Sequence, residues 1–581
     1  LKEFYKENKD IFIIFGIALF YYVQHLFGFR FGINFEESRD ANAYILSLDG
    51  LIPYRDFEWL YGPFSFFVYP FIMKLFGISL IVLRLSYIVF ASLTIPLVYF
   101  LSKRIMPCAW AGVASFLSII FFNTPYYTFN HVFIVPAALA SLLFICRFIE
   151  TKKSVNLFLS GIFVSIALLT KPLLTGISLT AAISLYLLFL KELGTQRSRI
   201  KNFLIFIFGL ACLVFIYLVY FYLETALKNI SVAYPFLARN SLIVIEQITN
   251  IHFKEYGFKA LLFERFHDVL SIAKIIVNVP NVENMKQIIV NFFDGFIFFL
   301  PFILSVLFAF IYAFRNRNIL SPQAKAKIRL DGKFLLLFVI FAVFISLESL
   351  RVFHRYNRAY TIQVSFILLV YVLYFLKSFY FRKHIVLIIS ITLILFCGSF
   401  LHFLRYPYSM FKKYSQPLVL ERAKGVLLTL EEKRLYESLS AYLSGSFKED
   451  DKMAVVGYTG CYSQFSFLAK KRNVFQDDEF IFVKLNDLVE LNGRDKNSAV
   501  LLPSLENKII SRLVKEKTKI ILIVVDDPIL GLKDYKFLSG KVKTFFENNY
   551  YLCKTFGPAD IQGLGGRIGY VKLYKLKGEA I

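Results

Sequence analysis

Acidic residues are in short supply in this 581-residue chain: Asp and Glu number 41 against 66 Lys and Arg, for a net charge of +25. Charge of either sign is sparse, at 18% of residues, while 57% are hydrophobic. Soluble domains carry more charge and less apolar surface, so a water-soluble globule is not the first reading. Cysteine is rare too, six in all, with no Cys-x-x-Cys and no Cys/His cluster of the kind zinc requires. Cys108, Cys146, Cys212 and Cys397 fall in apolar stretches, where a thiol acts as a small core residue. The first apolar run lacks a small-residue cleavage site, so it reads as an uncleaved span. The chain has no internal repeat and no low-complexity linker. It also has no Gly-rich phosphate loop and no DxD-type pair on the cytoplasmic side, which weighs against a nucleotide-sugar donor.

Long hydrophobic runs are abundant instead. A helix crosses a bilayer with roughly 20 apolar residues, within a range of about 17–25. Candidate spans lie near 11–29, 79–101, 108–123, 131–149, 155–170, 172–190, 203–223, 292–314, 334–349, 359–376 and 384–404, about eleven in all. Residues 64–77 are apolar but too short to span, and are expected at the membrane interface. With the N-terminus inside, basic residues crowd the inner loops near 103–104, 147–153, 191–201, 315–333 and 377–383, with only Glu150, Glu192 and Asp331 among them. This is the positive-inside pattern, and it fixes the orientation. It also removes the case for nucleic acid, because the basic excess follows the membrane topology rather than one face or arm.

The tail has a different texture. "TLEEKRLYESLSAYLSGSF" has helical spacing, "KMAVVGY", "KIILIVVDD" and "GRIGYVKLYKL" are short β-rich runs, and "YKFLSGKVKTFFENNY" is a helix between strands. The expected organisation is an α-helical polytopic membrane domain over residues 1–404, followed by an external α/β domain over 405–581. Cys461 and Cys553 are the two cysteines outside the spans, both on the oxidising side, which makes them a disulfide candidate.

The scarce acids gather in one place. Residues 34–63, "NFEESRDANAYILSLDGLIPYRDFEWLYGP", hold Glu36, Glu37, Asp40, Asp49, Asp56 and Glu58 against Arg39 and Arg55. A loop of this kind is a solvated surface, a cation site or the source of a general base. Turn residues at Asp49-Gly50, Pro53 and Gly62-Pro63 argue for a fixed structure.

These residues resemble the first external loop of the C-type membrane glycosyltransferases. That family includes the protein O-mannosyltransferases and the enzymes that add aminoarabinose or galacturonic acid to lipopolysaccharide. Its pattern of an acidic pair, a short helix, "PYRDF", then "GP" and an amphipathic helix matches Glu36-Glu37, residues 53–57, Gly62-Pro63 and residues 64–77. The "LLTKPLLTG" segment at 168–176 resembles the family's Lys-Pro helix break. The resemblance implies a sugar donor carried on a polyprenyl phosphate, an acceptor hydroxyl on a lipid, glycan or protein, and inversion at the anomeric carbon. It implies that Glu36 is the general base beside Glu37, with Asp40, one helical turn on, as the substitute. Glu36 stands where the family usually has Asp. Arg55, Asp56, Tyr61, Asn130, His131 and His354 become substrate-binding candidates. Asn130 and His131 stand where relatives often carry an Asp, and His131 reads either as a carboxylate or metal partner or as a polar cap.

A leaving phosphate needs positive charge where its own charge develops. The external stretch "ESLRVFHRYNRAY" supplies Arg351, His354, Arg355 and Arg358, and arginine suits bidentate phosphate binding. Lys171, at the Pro172 break among apolar residues, is a further candidate for the same role. A divalent cation is a candidate cofactor, with Glu37, His131, Glu264 and His267 as weak ligand candidates, although Glu264, His267 and Asp268 also read as a mixed-charge exposed helix. The expected setting is the bacterial cytoplasmic membrane, with the active site outside. The alternatives are a transporter or flippase for lipid-linked glycans, or a polymerase or ligase of such glycans.

Overall fold

A computed structural model describes residues 8–33, 35–53, 56–57, 59, 62–122, 129–170, 176–189, 195–226, 334–342, 362–379, 413–448, 450–457, 463–475, 485, 489, 496–526, 538–560 and 568–578. The expected spans at 292–314 and 384–404 lie outside the described residues.

The helical part follows the apolar runs. Its helices are α1 (Lys9–Gly28), α2 (Phe35–Leu48), α3 (Ser65–Phe76), α4 (Leu80–Ser92), α5 (Thr94–Ser102), α6 (Cys108–Phe122), α7 (Ile134–Thr151), α8 (Ser154–Thr170), α9 (Ile177–Phe189), α10 (Gln196–Ala226) and α11 (Ile362–Phe379). Among the described residues, Leu80–Ser102, Ile134–Thr151 and Gln196–Tyr220 are each long and apolar enough to cross a membrane, and shorter apolar helices accompany them. Most of the apolar surface of α10 is open, including Leu204, Phe208, Phe215 and Ile216. A helix with open apolar surface of this kind suits hydrocarbon and not water.

The chain forms two compact units. The first comprises residues 1–23, 89–124 and 131–404; the second comprises 24–88, 125–130 and 405–581. The second unit therefore joins the tail to the segment that carries the acidic loop, whereas the sequence reading divided the chain after residue 404.

In the first unit α8 packs on both α7 and α10, and α6 on α5 and α11. Small residues and hydroxyls make these contacts close, as hydrocarbon-embedded helices require. Ser141 and Ser160 hydroxyls meet at 2.7 Å, and Ser165 donates to the Leu210 carbonyl at 2.6 Å. At the α8–α10 crossing, Gly161 and Gly209 bring the two backbones together. A Cβ on Gly161 would overlap the Phe206 carbonyl and the Leu210 amide, and one on Gly209 would overlap the Phe158 carbonyl.

In the second unit the tail forms β1 (Gln416–Pro417), β2 (Leu427–Leu428), α12 (Leu430–Ser446), β3 (Met453–Gly457), α13 (Ser463–Leu468), α14 (Lys496–Lys515), β4 (Ile520–Val525), α15 (Gly540–Asn549), β5 (Tyr550–Asp560) and β6 (Ile568–Leu576). The four-stranded sheet runs β3-β4-β6-β5, with β3 parallel to β4 and the other pairs antiparallel. "MAVVG" and "IILIVV" are buried along their whole length, β4 inside the sheet and β3 at the end of its strand order. Ile509 and Leu513 of α14, and Val542 and Phe546 of α15, close one hydrophobic core over Ala454, Ile521, Ile523 and Tyr574. Helix α12 opens with a capping box between Thr429 and Glu432. Cys553 on β5 is a free thiol 2.9 Å from the Tyr442 hydroxyl, where a bridge to Cys461 was expected; Cys461 lies outside the described residues.

Replacing Gly161 with Ala should destabilise the first unit by about 1–3 kcal/mol through overpacking. Gly16→Ala, where an added Cβ meets nothing within 4 Å, should leave the melting temperature unchanged or slightly raised. Thermal unfolding of the two variants in detergent checks this; equal melting would remove the glycine crossing as a packing determinant.

Candidate active site

The acidic loop folds into helix α2, and its carboxylates meet very different surroundings. Glu36 and Glu37 occupy the first turn, where the helix dipole favours negative charge. Glu36 is partly exposed, while Glu37 and Asp40 are fully buried.

Glu37 is held by Arg84 of α4, which is itself 1% exposed. The Arg84 Nε donates to Glu37 Oε2 at 2.9 Å, and Nη2 donates to Oε1. The guanidinium also donates to the Phe29 carbonyl at 2.9 Å and the Gly32 carbonyl at 2.6 Å. One side chain thus ties together the end of α1, the turn after it and the start of α2. Asp40 accepts from its neighbour Arg39 through Nε at 3.2 Å and Nη2 at 2.9 Å. Arg39 in turn lies over the Trp59 ring, 5.8 Å from its centroid.

Below the carboxylates is an aromatic floor. Tyr44 stacks on Tyr69 at 5.1 Å and meets Phe66 at 5.3 Å, and Phe66 meets Trp59 at 5.0 Å. Burial, and then the negative charge of Asp40, hold the Tyr44 phenol well above its usual range; Tyr69 is raised in the same way, by burial and then by its neighbours Tyr87 and Asp40. Both phenols therefore stay protonated.

The other expected site residues lie in varied surroundings. Asp40, the substitute base, is shut away with Arg39 and the two phenols. Glu37, a candidate metal ligand, has both oxygens bonded to Arg84. Among the described residues, no three His, Cys, Asp or Glu side chains gather in a way that could hold a metal ion. Asp56, read as a substrate contact, closes a turn: its Oδ2 accepts from the Ile52 amide at 2.8 Å. His131 is buried in a short 3-10 turn that begins at Phe129 and includes Asn130. The segment at 64–77 does form a helix, α3, with Tyr69 and Met73 buried and Phe67, Phe71, Leu75 and Phe76 exposed. Arg55, Tyr61, Lys171, Glu264, His267, Arg351, His354, Arg355 and Arg358 lie outside the described residues.

Sequence reasoning missed Arg84. The signal was available: "LIVLRLSYIVF" carries one arginine inside an apolar stretch, and a lone charge there needs a buried partner.

Residues 61–222 match the family of dolichyl-phosphate-mannose-protein mannosyltransferases. Among solved structures, the chain is similar to the oligosaccharyltransferase of Archaeoglobus fulgidus in its apo form, at 13% identity and a TM-score of 0.54, over 96% of this chain and 75% of that one. The chain has the fold of the C-type glycosyltransferases. The chain also aligns with the Archaeoglobus fulgidus enzyme tethered to an acceptor peptide containing the NVT sequon, at 12% identity and a TM-score of 0.53, over 98% and 74% of the two chains. ArnT from Cupriavidus metallidurans bound to undecaprenyl phosphate aligns at 14% identity and a TM-score of 0.46, over 97% of this chain and 98% of that one. No curated protein matches the chain in sequence.

Removing one partner of the Glu37–Arg84 pair strands a buried charge, a change of about 3–5 kcal/mol. Arg84→Met should therefore lower the melting temperature sharply. The double variant Arg84→Met, Glu37→Met should recover part of that loss. Melting curves of the single and double variants test the coupling, and strictly additive losses would show that the two charges do not stabilise each other.

Proposed function

We propose that this protein is a membrane glycosyltransferase that moves a sugar from a polyprenyl-phosphate carrier to an acceptor hydroxyl, with inversion, on the outer face of the membrane. The observation that carries the reading is the contrast on α2. Two carboxylates are buried against arginines, and Glu36 alone of the three is partly open. The match of residues 61–222 to dolichyl-phosphate-mannose-dependent mannosyltransferases supports the class of donor.

In this reading Glu36 takes the proton from the acceptor hydroxyl. The acceptor oxygen attacks the anomeric carbon from the face opposite the phosphate. The bond from that carbon to the phosphate oxygen breaks, and the carrier leaves as polyprenyl phosphate. Glu37 is not the base in this reading, because both of its oxygens accept from Arg84. Arg351, Arg355, Arg358, Lys171 and His354 are assigned to the phosphate, where cations oppose the charge that develops as it leaves. Arg55 and Tyr61 are assigned to sugar or acceptor. Residues 1–404 supply the membrane-embedded catalytic part and residues 405–581 the external domain.

Glu36→Gln keeps the shape and removes the base. Transfer should fall about 10²–10⁴-fold, with melting close to wild type. The assay offers polyprenyl phosphates carrying mannose, aminoarabinose or galacturonic acid and measures released polyprenyl phosphate. Wild-type turnover in Glu36→Gln would reject the assignment.

The carrier site is tested separately. Loss of one charged hydrogen bond amounts to about 1.5–3 kcal/mol, which is about 10–100-fold in affinity. Arg355→Ala and Arg358→Ala should each weaken undecaprenyl phosphate binding by that factor. Unchanged affinity in both would reassign the loop to membrane headgroups.

A further inference from the structure

The tail reaches the acidic helix through the main chain. The segment between α1 and α2 pairs with β2: the Gly32 amide donates to the Leu427 carbonyl at 2.9 Å, and the Leu427 amide donates to the Arg30 carbonyl at 2.6 Å. The Arg30 side chain adds a third bond, donating from Nε to the Gly425 carbonyl at 2.8 Å. Gly425 adopts φ +84°, a left-handed conformation that places its carbonyl in the turn and favours glycine. Phe31 stacks on Tyr414 with ring centroids 6.3 Å apart. Further along α2, the Asn42 amide donates to the Ser466 hydroxyl of α13 at 3.2 Å, and both residues are buried.

Gly32 makes these contacts consequential. Its amide goes to Leu427 of the tail, and its carbonyl receives Arg84, the side chain that holds Glu37. A displacement of β2 would be passed through a single residue to Arg84's acceptor set, and from there to the first turn of α2. Gly32 sits at φ +65°, and a Cβ there would meet the Tyr414 ring at 3.7 Å. The backbone conformation therefore specifies the turn, and an added Cβ would make only ordinary contact with Tyr414.

We propose that the tail segment 425–428, together with Ser466, is the positioning device for helix α2: Leu427 and Ser466 act as positioning residues that hold Glu36 in place without touching substrate. This rests on the reading of Glu36 as the base. The tail is then a working part of the site, and not an appended domain with a separate task.

Leu427→Pro removes the amide donated to Arg30, and Leu427→Ala keeps it. Both are made in the full-length protein and assayed with whichever of the three lipid-linked sugars the wild type turns over. In Leu427→Pro, kcat should fall tenfold or more while KM for the donor stays within twofold. Hydrogen exchange of the α2 amides should quicken by at least tenfold, with the β3 and β4 amides unchanged. Leu427→Ala should match wild type in each respect. Unchanged kcat, or unchanged α2 exchange, in a Leu427→Pro protein with intact β3 and β4 protection would overturn the proposal. If that variant loses protection in β3 and β4 as well, the double variant Arg30→Ala, Ser466→Ala decides by the same readouts and the same criteria. Failure of the function reading is distinguishable. In that case Glu36→Gln stays active, while the exchange measurement still reports whether the tail holds α2.

Discussion

Burial of a carboxylate beside the membrane is tolerable only if a cation is buried with it, and in this fold that cation is Arg84. Taking either charge out of water alone would carry a penalty of several kcal/mol. The pair avoids this because the guanidinium has a partner on every side: both Glu37 oxygens, the Phe29 carbonyl and the Gly32 carbonyl. The two carbonyls lie just past α1, where helix geometry leaves acceptors without intrahelical donors. The same contact thus caps one helix, sets the turn after it and starts the next. It also fixes the chemistry of the acidic pair, since Glu37 is committed to the scaffold and Glu36 remains the residue with access to solvent.

The parts of this architecture that repeat were legible in the sequence. Apolar runs of spanning length became α4–α5, α7 and α10, and the β-rich runs became β3, β4 and β6. In these segments burial requires every residue, or every third or fourth residue, to be apolar, and such a pattern is visible in one chain. The capping of α12 could be read the same way, because Thr and Glu at that spacing have one local use. The site was legible only in part. The acidic loop was found, but Asp40 and Asp56 carry the residue type of a functional group while serving an arginine pair and a turn. Arg84 lies inside an apolar run of spanning length, where the pattern of loop charges carries no information about it. The pairing of Gly32 with Leu427 had no signature available. Main-chain hydrogen bonds are open to almost any residue, so two segments separated by most of the chain can form a ladder without a mark in either.

Helix α2 is also unusual in what it buries. Ser38, Arg39, Asp40 and Asn42 are all buried, along with Ala41, Ala43 and Tyr44. A helix with one apolar stripe can be held by one hydrophobic surface. A helix that buries polar groups around its circumference needs a specific partner for each of them. Within the second unit those partners come from separate places in the sequence: Arg84 from α4, Trp59 and Phe66 from the following loop and α3, and Ser466 from the tail.

This requirement explains why a chain with so few acids concentrates them on a segment that no single neighbour can stabilise. A general base is effective when its position is set before the substrate arrives, because reorganisation then adds nothing to the barrier. A carboxylate on a solvated tether would lose that advantage. Enclosing α2 on several sides leaves Glu36 as its partly open edge. On the proposed reading of Glu36 as the base, the polar burial, the lone arginine in an apolar helix and the main-chain ladder to the tail are three contributions to one requirement: a carboxylate whose place does not depend on the ligand.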